Sequence, residues 1–138
     1  MNARLAHRLR DERGAVLVAG LLLALALLLV IGAAVDLGRA FIERRVLVSL
    51  ADEAALSGSQ ELDLEALHAG QLALDPAQAQ ATALGVLAGE RGLEAQASAS
   101  PGGVRVAVER KVPTLLLRLV GLPSLTLKAQ ATAEPRAP

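Results

Sequence analysis

His7 and His68 are the only histidines, and histidine is the side chain that most readily binds a metal or transfers a proton near neutral pH. A long uncharged segment, residues 15–35, separates them. If that segment crosses a membrane, the two imidazoles lie on opposite sides and cannot form a shared metal site or a catalytic pair. We therefore expect His68 to be a surface or partly packed residue.

Three other motifs resemble reactive sites at first sight. Glu61, Asp63 and Glu65 alternate as in a weak cation site, but no glycine-bearing calcium loop surrounds them, which favours a solvated acidic loop. Ser57-Gly58-Ser59 lacks the G-x-S-x-G pattern of a nucleophile elbow and is typical of a helix end. Gly102-Gly103 opens no helix, so it indicates a turn rather than a phosphate-binding loop.

The composition excludes further chemistry. The 138 residues include no cysteine, which excludes disulfides, thiol catalysis and cysteine-ligated zinc. The formal net charge is zero, which argues against nucleic acid as a partner. We expect a protein that is not an enzyme and has no catalytic residues, no metal ligands and no cofactor.

Residues 15–35 are the element that must position everything else, because they carry no charge over 21 positions. A helix of this length spans about 30 Å, the thickness of the hydrocarbon core of a bilayer. A helix also satisfies its own backbone groups in lipid, so a single transmembrane helix is predicted. A cleavable secretory signal ending near Gly32-Ala33-Ala34 is the alternative, but the apolar run is longer than a usual signal core.

The charges beside the span predict its orientation. Four arginines and the amino terminus precede it, whereas the three arginines that follow are interleaved with two acidic residues. This bias predicts a cytoplasmic leader, residues 1–14, and an exported domain, residues 36–133, on a single-pass protein of the cytoplasmic membrane. Residues 134–138 are expected to be a frayed tail.

The helical pattern continues beyond the span, since neither a proline nor a turn cluster follows Val35. One helix is predicted from about Ala15 to about Leu56, with an amphipathic second half. Its predicted buried face comprises Leu37, Ala40, Phe41, Leu47, Val48, Ala51, Ala54 and Ala55. Asp75 and Pro76 predict the start of a second helix as N-cap and first helical residue. The predicted buried stripe of that helix is Ala77, Ala81, Leu84 and Ala88.

The last third of the chain alternates with period two. Two alternating segments flank Pro101-Gly102-Gly103, and a third runs from Leu125 to Ala133. The predicted fold is therefore α+β: a single N-terminal transmembrane helix continues into an amphipathic helix packed on a small three-stranded antiparallel sheet. Residues 113–120 predict one or two helical turns whose leucines either cover the core or lie on lipid or a partner, and core cover is the preferred interpretation.

The residues expected to pack against other subunits lie in and just after the span. Gly20 and Ala24 form a small-residue pair of the kind that lets membrane helices approach each other. Asp36 stands where the span meets the headgroups, and we expect it to cap the amphipathic half, pair with Arg39 or contact another subunit. The full set of candidate subunit-packing residues is Gly20, Ala24, Asp36, Gly38, Arg39 and Phe41.

Four segments have a recognisable order and spacing. They are Glu12-Arg13-Gly14-Ala15, Val35-Asp36-Leu37-Gly38-Arg39, Leu50-Ala51-Asp52-Glu53-Ala54-Ala55-Leu56 and the ending Leu125 to Ala133. Together they resemble the TadE/TadG-like family of Flp (tight adherence) pilus-assembly proteins, closest to the TadG-like N-terminal region. A long helix that is half span and half spine of a small sheet is also similar to type IV pilin-like proteins.

The resemblance implies a bacterial, membrane-anchored component of a pilus or a related secretion machine. Its implied partners are the lipid bilayer, other pilus-assembly membrane proteins or pilins, and further copies of itself. Ala19 stands where a pilin processed at Gly14 would carry a glutamate, so we expect a minor or accessory part that is not processed there. Two alternatives stay open: a secreted small binding domain with its N-terminus removed, and a membrane-bound regulator of a partner enzyme.

Overall fold

The computed structural model describes residues 2–136, with side chains for residues 14–136. The protein is α+β, with one long N-terminal helix and a three-stranded antiparallel sheet, as the sequence predicts. In chain order, the elements are α1 (Asn2–Gly58), α2 (Leu64–His68), α3 (Pro76–Leu87), β1 (Leu93–Ser100), β2 (Gly103–Pro113), a 3₁₀ helix (Leu117–Val120) and β3 (Ser124–Ala133).

The chain divides into two compact units. The anchor unit contains α1 up to Leu37 together with Thr114–Pro123, the connection from β2 to β3 that we call the apolar loop. The head unit contains Gly38–Pro113 and β3. The predicted leader, exported domain and tail stay predictions, and residues 137 and 138 of that tail lie outside the described residues.

The anchor unit contains an unburied apolar helix. Among the described residues, one helix is long and apolar enough to cross a membrane, and it lies between Gly14 and Gly58. Its most apolar window has a mean hydropathy of 3.0, and none of that window is buried. A soluble protein would bury such a window in its core, whereas lipid solvates it directly. The protein is therefore membrane-anchored through α1.

The sheet has β2 at its centre and β1 and β3 at its edges. Ser100 pairs with Gly103, so Pro101 and Gly102 form the tight turn that the sequence predicts. In register, Ala97 and Ala131 flank Val106 on the inner face of the sheet. This face is therefore a row of valines between two rows of mostly small side chains.

The core of the head unit lies between this inner face and helices α1 and α3. It comprises Leu47, Ala51, Ala54, Ala55, Leu74, Ala79, Ala83, Leu87, Val104, Val106, Val108 and Ala131. Small side chains let the helices approach closely. At the end of α1, a Cβ on Gly58 would lie only 2.7 Å from the carbonyl oxygen of Ala79 and 3.3 Å from a methyl carbon of Val104.

Helix α3 begins as predicted but buries a different face. The Asp75 carboxylate accepts hydrogen bonds from the N–H groups of Ala77 and Gln78 at 3.0 and 3.2 Å. The predicted stripe is wrong, because Ala77, Ala81 and Ala88 are exposed and Leu84 is half-buried. The buried residues are Ala79, Ala83 and Leu87. Alanine occurs on several faces of this helix, so its apolar period does not select one of them.

The predicted face of the second half of α1 is right in part. Its buried members are Ala40, Leu47, Ala51, Ala54 and Ala55. Leu37, Phe41 and Val48 are exposed, and Phe41 is 69% accessible. The small head covers a narrower stripe of the helix than the apolar pattern provides.

Candidate functional site

Among the side chains of the anchor unit that the structure describes, Asp36 is a buried ionisable residue, with 3% of its surface exposed. Its Oδ1 atom accepts a hydrogen bond from the N–H of Leu115 at 2.8 Å. Its Oδ2 atom accepts two more, from the N–H groups of Leu116 and Leu117, both at 2.8 Å. Both oxygens of a carboxylate can accept N–H groups, and 2.8 Å is within the range of a well-formed N–H···O hydrogen bond. Asp36 therefore fixes three successive backbone groups of the apolar loop.

Leu115 and Leu116 directly precede the 3₁₀ helix, and Leu117 is its first residue. The first N–H groups of any helix lack partners within that helix. The N-cap residue Leu116 has no side-chain oxygen and makes no side-chain cap bond. Asp36, from another element, thus accepts the first N–H of the 3₁₀ helix and the two N–H groups before it.

Gly32 provides the space that the loop needs. It precedes Asp36 by four residues, so both lie on the same side of α1. A Cβ at position 32 would lie 2.7 Å from the Cβ of Leu116, closer than packed carbon atoms approach. We call Gly32, Asp36 and the apolar loop together the Asp36 site.

The two ends of the apolar loop are also tied. The Thr114 N–H donates to the carbonyl oxygen of Pro123 at 3.1 Å, and the Thr114 hydroxyl donates to the carbonyl oxygen of Leu122. Gly121 has a φ of 91°, a left-handed conformation that ends the 3₁₀ helix and that side chains rarely tolerate. The loop is therefore an ordered structure with a defined exposed face.

That exposed face is apolar. Its large side chains are Leu115, Leu119, Val120 and Leu122, and Leu119 is 68% accessible. The prediction that the leucines of residues 113–120 cover the core is wrong, because Leu115 and Leu119 are exposed and Leu116 and Leu117 are only half-buried. The backbone contacts with Asp36 direct the loop to α1, which leaves the remaining side chains outside the core.

The head unit has its own polar contact at Arg110. This residue lies on the inner face of β2, and its side chain is 17% exposed. The guanidinium contacts Glu43 of α1 at 3.4 Å and Glu90 of the α3–β1 connection at 3.0 Å. Its Nε atom is buried without a hydrogen-bond partner. Arg110 therefore joins three elements, and part of its charge is incompletely solvated.

The candidate packing residues differ in their surroundings. Asp36 is buried in the site described above, whereas the other five members of the set are exposed. A Cβ added to Gly20 or to Gly38 would meet nothing within 4 Å. Both glycines thus leave open space beside the helix, and their role in subunit packing stays a prediction. Gly32 and Leu116 are residues of the Asp36 site that were not predicted from the sequence. The sequence signal that could have indicated Gly32 is its position one helical turn before Asp36, the acidic residue that ends the apolar segment.

The acidic and imidazole groups have structural surroundings. Asp63 caps α2, with Oδ1 accepting from the N–H of Glu65 at 2.9 Å, and Glu61 accepts from the hydroxyl of Thr82 at 3.0 Å. His68 is exposed, while His7 lies outside the side chains that the structure describes. Within residues 14–136, no three acidic, histidine or cysteine side chains gather in a group that could hold a metal.

On the outer face of the sheet, the Lys128 ammonium lies 2.8 Å from a carboxylate oxygen of Glu109. This hydrogen bond raises the pKa of Lys128. The pair lies in solvent, so it contributes little to stability.

Two family models match the chain. The model for Flp pilus-assembly TadE/G-like proteins matches residues 14–61, and the model for Tad-like Flp pilus-assembly proteins matches residues 44–133. The second match covers well over half of the 138 residues. The chain belongs to the Tad-like Flp pilus-assembly family. Comparisons with curated proteins and with solved structures gave no match.

The two matches divide the Asp36 site of this Tad-like protein. Gly32 and Asp36 fall in the TadE/G-like match, whereas the apolar loop falls in the Tad-like match that follows it. The hydrogen bonds of Asp36 therefore connect the parts of the chain that the two models describe.

Proposed function

We propose that this Tad-like protein is a minor pilin-like or accessory component of Flp-type pilus assembly, or of a related secretion machine, and that it acts without catalysis. The observation that carries the proposal is the combination of an unburied apolar helix with a match to pilus-assembly families along residues 14–133. Its N-terminus is cytoplasmic and its C-terminal domain is exported. Its partners are other pilus-assembly membrane proteins or pilins.

The exposed residues along α1 support assembly through helix packing. Gly20 and Ala24 present small side chains within the span, and Gly38 and Phe41 are exposed just beyond it. In lipid, small residues let helix backbones approach, so close packing replaces the hydrophobic effect as the attraction. We propose these positions as contacts with neighbouring subunits.

Deletion of the gene tests the role. The expected result is a loss of surface pili and of adherence, restored by the wild-type gene on a plasmid. Normal pili in the deletion strain contradict the proposal. Crosslinking in intact membranes, followed by identification of partners, separates pilus assembly from regulation of an enzyme.

The mature N-terminus tests the secreted alternative. Cleavage after Ala34 would remove Gly32, the residue against which Leu116 packs. Mass spectrometry of the purified protein is expected to find the span in the mature chain. A chain that begins near residue 35 contradicts the membrane-anchored role.

A further inference from the structure

The apolar loop has the features of a second membrane contact. Its side chains Leu115, Leu119, Val120 and Leu122 are exposed, although each would avoid water. Leu116 packs on Gly32, which lies inside the apolar part of α1. The exposed leucines therefore belong to the same unit as a segment that lipid surrounds.

The backbone of the loop is prepared for a medium with little water. Seven of its N–H groups have partners: those of residues 115, 116 and 117 bond Asp36, and those of residues 114, 119, 121 and 122 bond carbonyl oxygens of the loop itself. Irregular backbone at membrane depth is tolerated only where protein buries it or where it lines a water-filled cavity. A loop with these N–H groups satisfied by protein therefore suits the bilayer interface rather than the hydrocarbon centre.

The charges of the loop suit a bilayer interface. Arg118 is its one charged residue, and it is exposed. A long arginine side chain reaches lipid phosphates while its neighbours lie among acyl chains. The carboxylate of Asp36 is 3% exposed and accepts N–H groups of the loop, so it is not in direct contact with those phosphates.

We infer that the apolar loop inserts into the interface of the leaflet in which the span ends, with lipid as its partner and Leu119 and Val120 deepest. The chain then contacts the membrane twice, through α1 and through the loop. This inference rests on the membrane anchor and not on the role in pilus assembly.

Site-specific fluorescence tests the inference, because the chain has no cysteine and a single one can be labelled uniquely. Full-length Leu119→Cys carries an environment-sensitive probe in vesicles of phosphatidylcholine and phosphatidylglycerol at a low protein-to-lipid ratio. Val30→Cys in the span and Gln130→Cys on the outer face of β3 are the references. Leu119 is mostly exposed, so its replacement leaves the fold intact.

The expected result is quenching of the Leu119→Cys probe by spin-labelled lipid, together with at least fivefold weaker quenching by iodide than at Gln130→Cys. Quenching by iodide as strong as at Gln130→Cys overturns the inference. Protection from both quenchers also overturns it, because a second copy then covers the loop. A pilus phenotype has no influence on this assay, so the two proposals fail separately.

Discussion

The carboxylate of Asp36 binds the N–H of Leu115 at 2.8 Å across 79 positions of the chain. This contact joins the end of the apolar segment of α1 to a loop between two strands. It is a long-range contact made by one side chain, so it can be tested by single substitutions.

Replacement of Asp36 is expected to release the apolar loop. In Asp36→Asn, one oxygen becomes an NH₂ group that cannot accept, so at least one buried N–H loses its partner. An unpaired buried group costs about 1–3 kcal/mol, which predicts an increase of about tenfold or more in amide exchange at residues 115–117. Hydrogen–deuterium exchange of the full chain in micelles measures it. Asp52→Asn, an exposed change on the same helix, is expected to leave these amides unchanged.

Gly32→Ala is expected to displace Leu116. The new methyl group would lie 2.7 Å from the Cβ of Leu116, and overpacking of this kind costs about 1–3 kcal/mol. We expect faster tryptic cleavage after Arg118, which mass spectrometry of the released peptides measures. Gly38→Ala is the matched control, because its methyl group meets open space. Equal cleavage rates in the two variants would refute a packing role for Gly32.

Gly58→Ala is expected to destabilise the head unit by about 1–3 kcal/mol, since its methyl group would meet the backbone oxygen of Ala79. Exchange of β2 amides in the full chain reports the loss. Gly85→Ala on α3 is the control, because a methyl group there has space and alanine favours a helix by about 1 kcal/mol. It should leave exchange unchanged or slow it, and slower exchange in Gly58→Ala would contradict the proposed close contact.

Substitution of Arg110 tests how much its ion pairs contribute to the stability of the head unit. Arg110→Met removes two salt bridges to carboxylates that are 40% and 42% exposed, and it also removes the buried unpaired Nε atom. Exposed pairs are worth about 0–1 kcal/mol, so the change in stability is expected to stay within about 1 kcal/mol. Arg110→Glu instead places a third carboxylate beside Glu43 and Glu90 and should destabilise more. Denaturant titration measures the free energy of unfolding of Arg110→Met and Arg110→Glu, and Lys111→Glu, at an exposed position, is the control. Equal loss of stability in the two Arg110 variants would contradict the expected difference.

The elements that the sequence predicts well are those set by local chemistry. The long helix follows from an uninterrupted apolar run, the hairpin from Pro101-Gly102 between alternating strands, and the start of α3 from the Asp75 cap. Each depends on residues within a few positions of one another. The family resemblance, also based on local segments, is confirmed.

The elements that it predicts poorly depend on distant contacts. The buried face of α3 packs on Gly58 and on the sheet, mainly on β1, and neither contact is visible in the period of an alanine-rich helix. The partner of Asp36 is a set of backbone groups, and backbone groups carry no sequence signal. Because those backbone contacts hold the apolar loop on α1, its leucines cannot be distinguished from core residues by sequence alone.

The valine row between alanines in the head unit has a thermodynamic consequence. Alanine and valine expose less apolar surface on unfolding than leucine or phenylalanine, and the heat capacity increment of unfolding follows that surface. The head is therefore expected to have a shallow stability curve, with a free energy that changes slowly between cold and warm growth conditions.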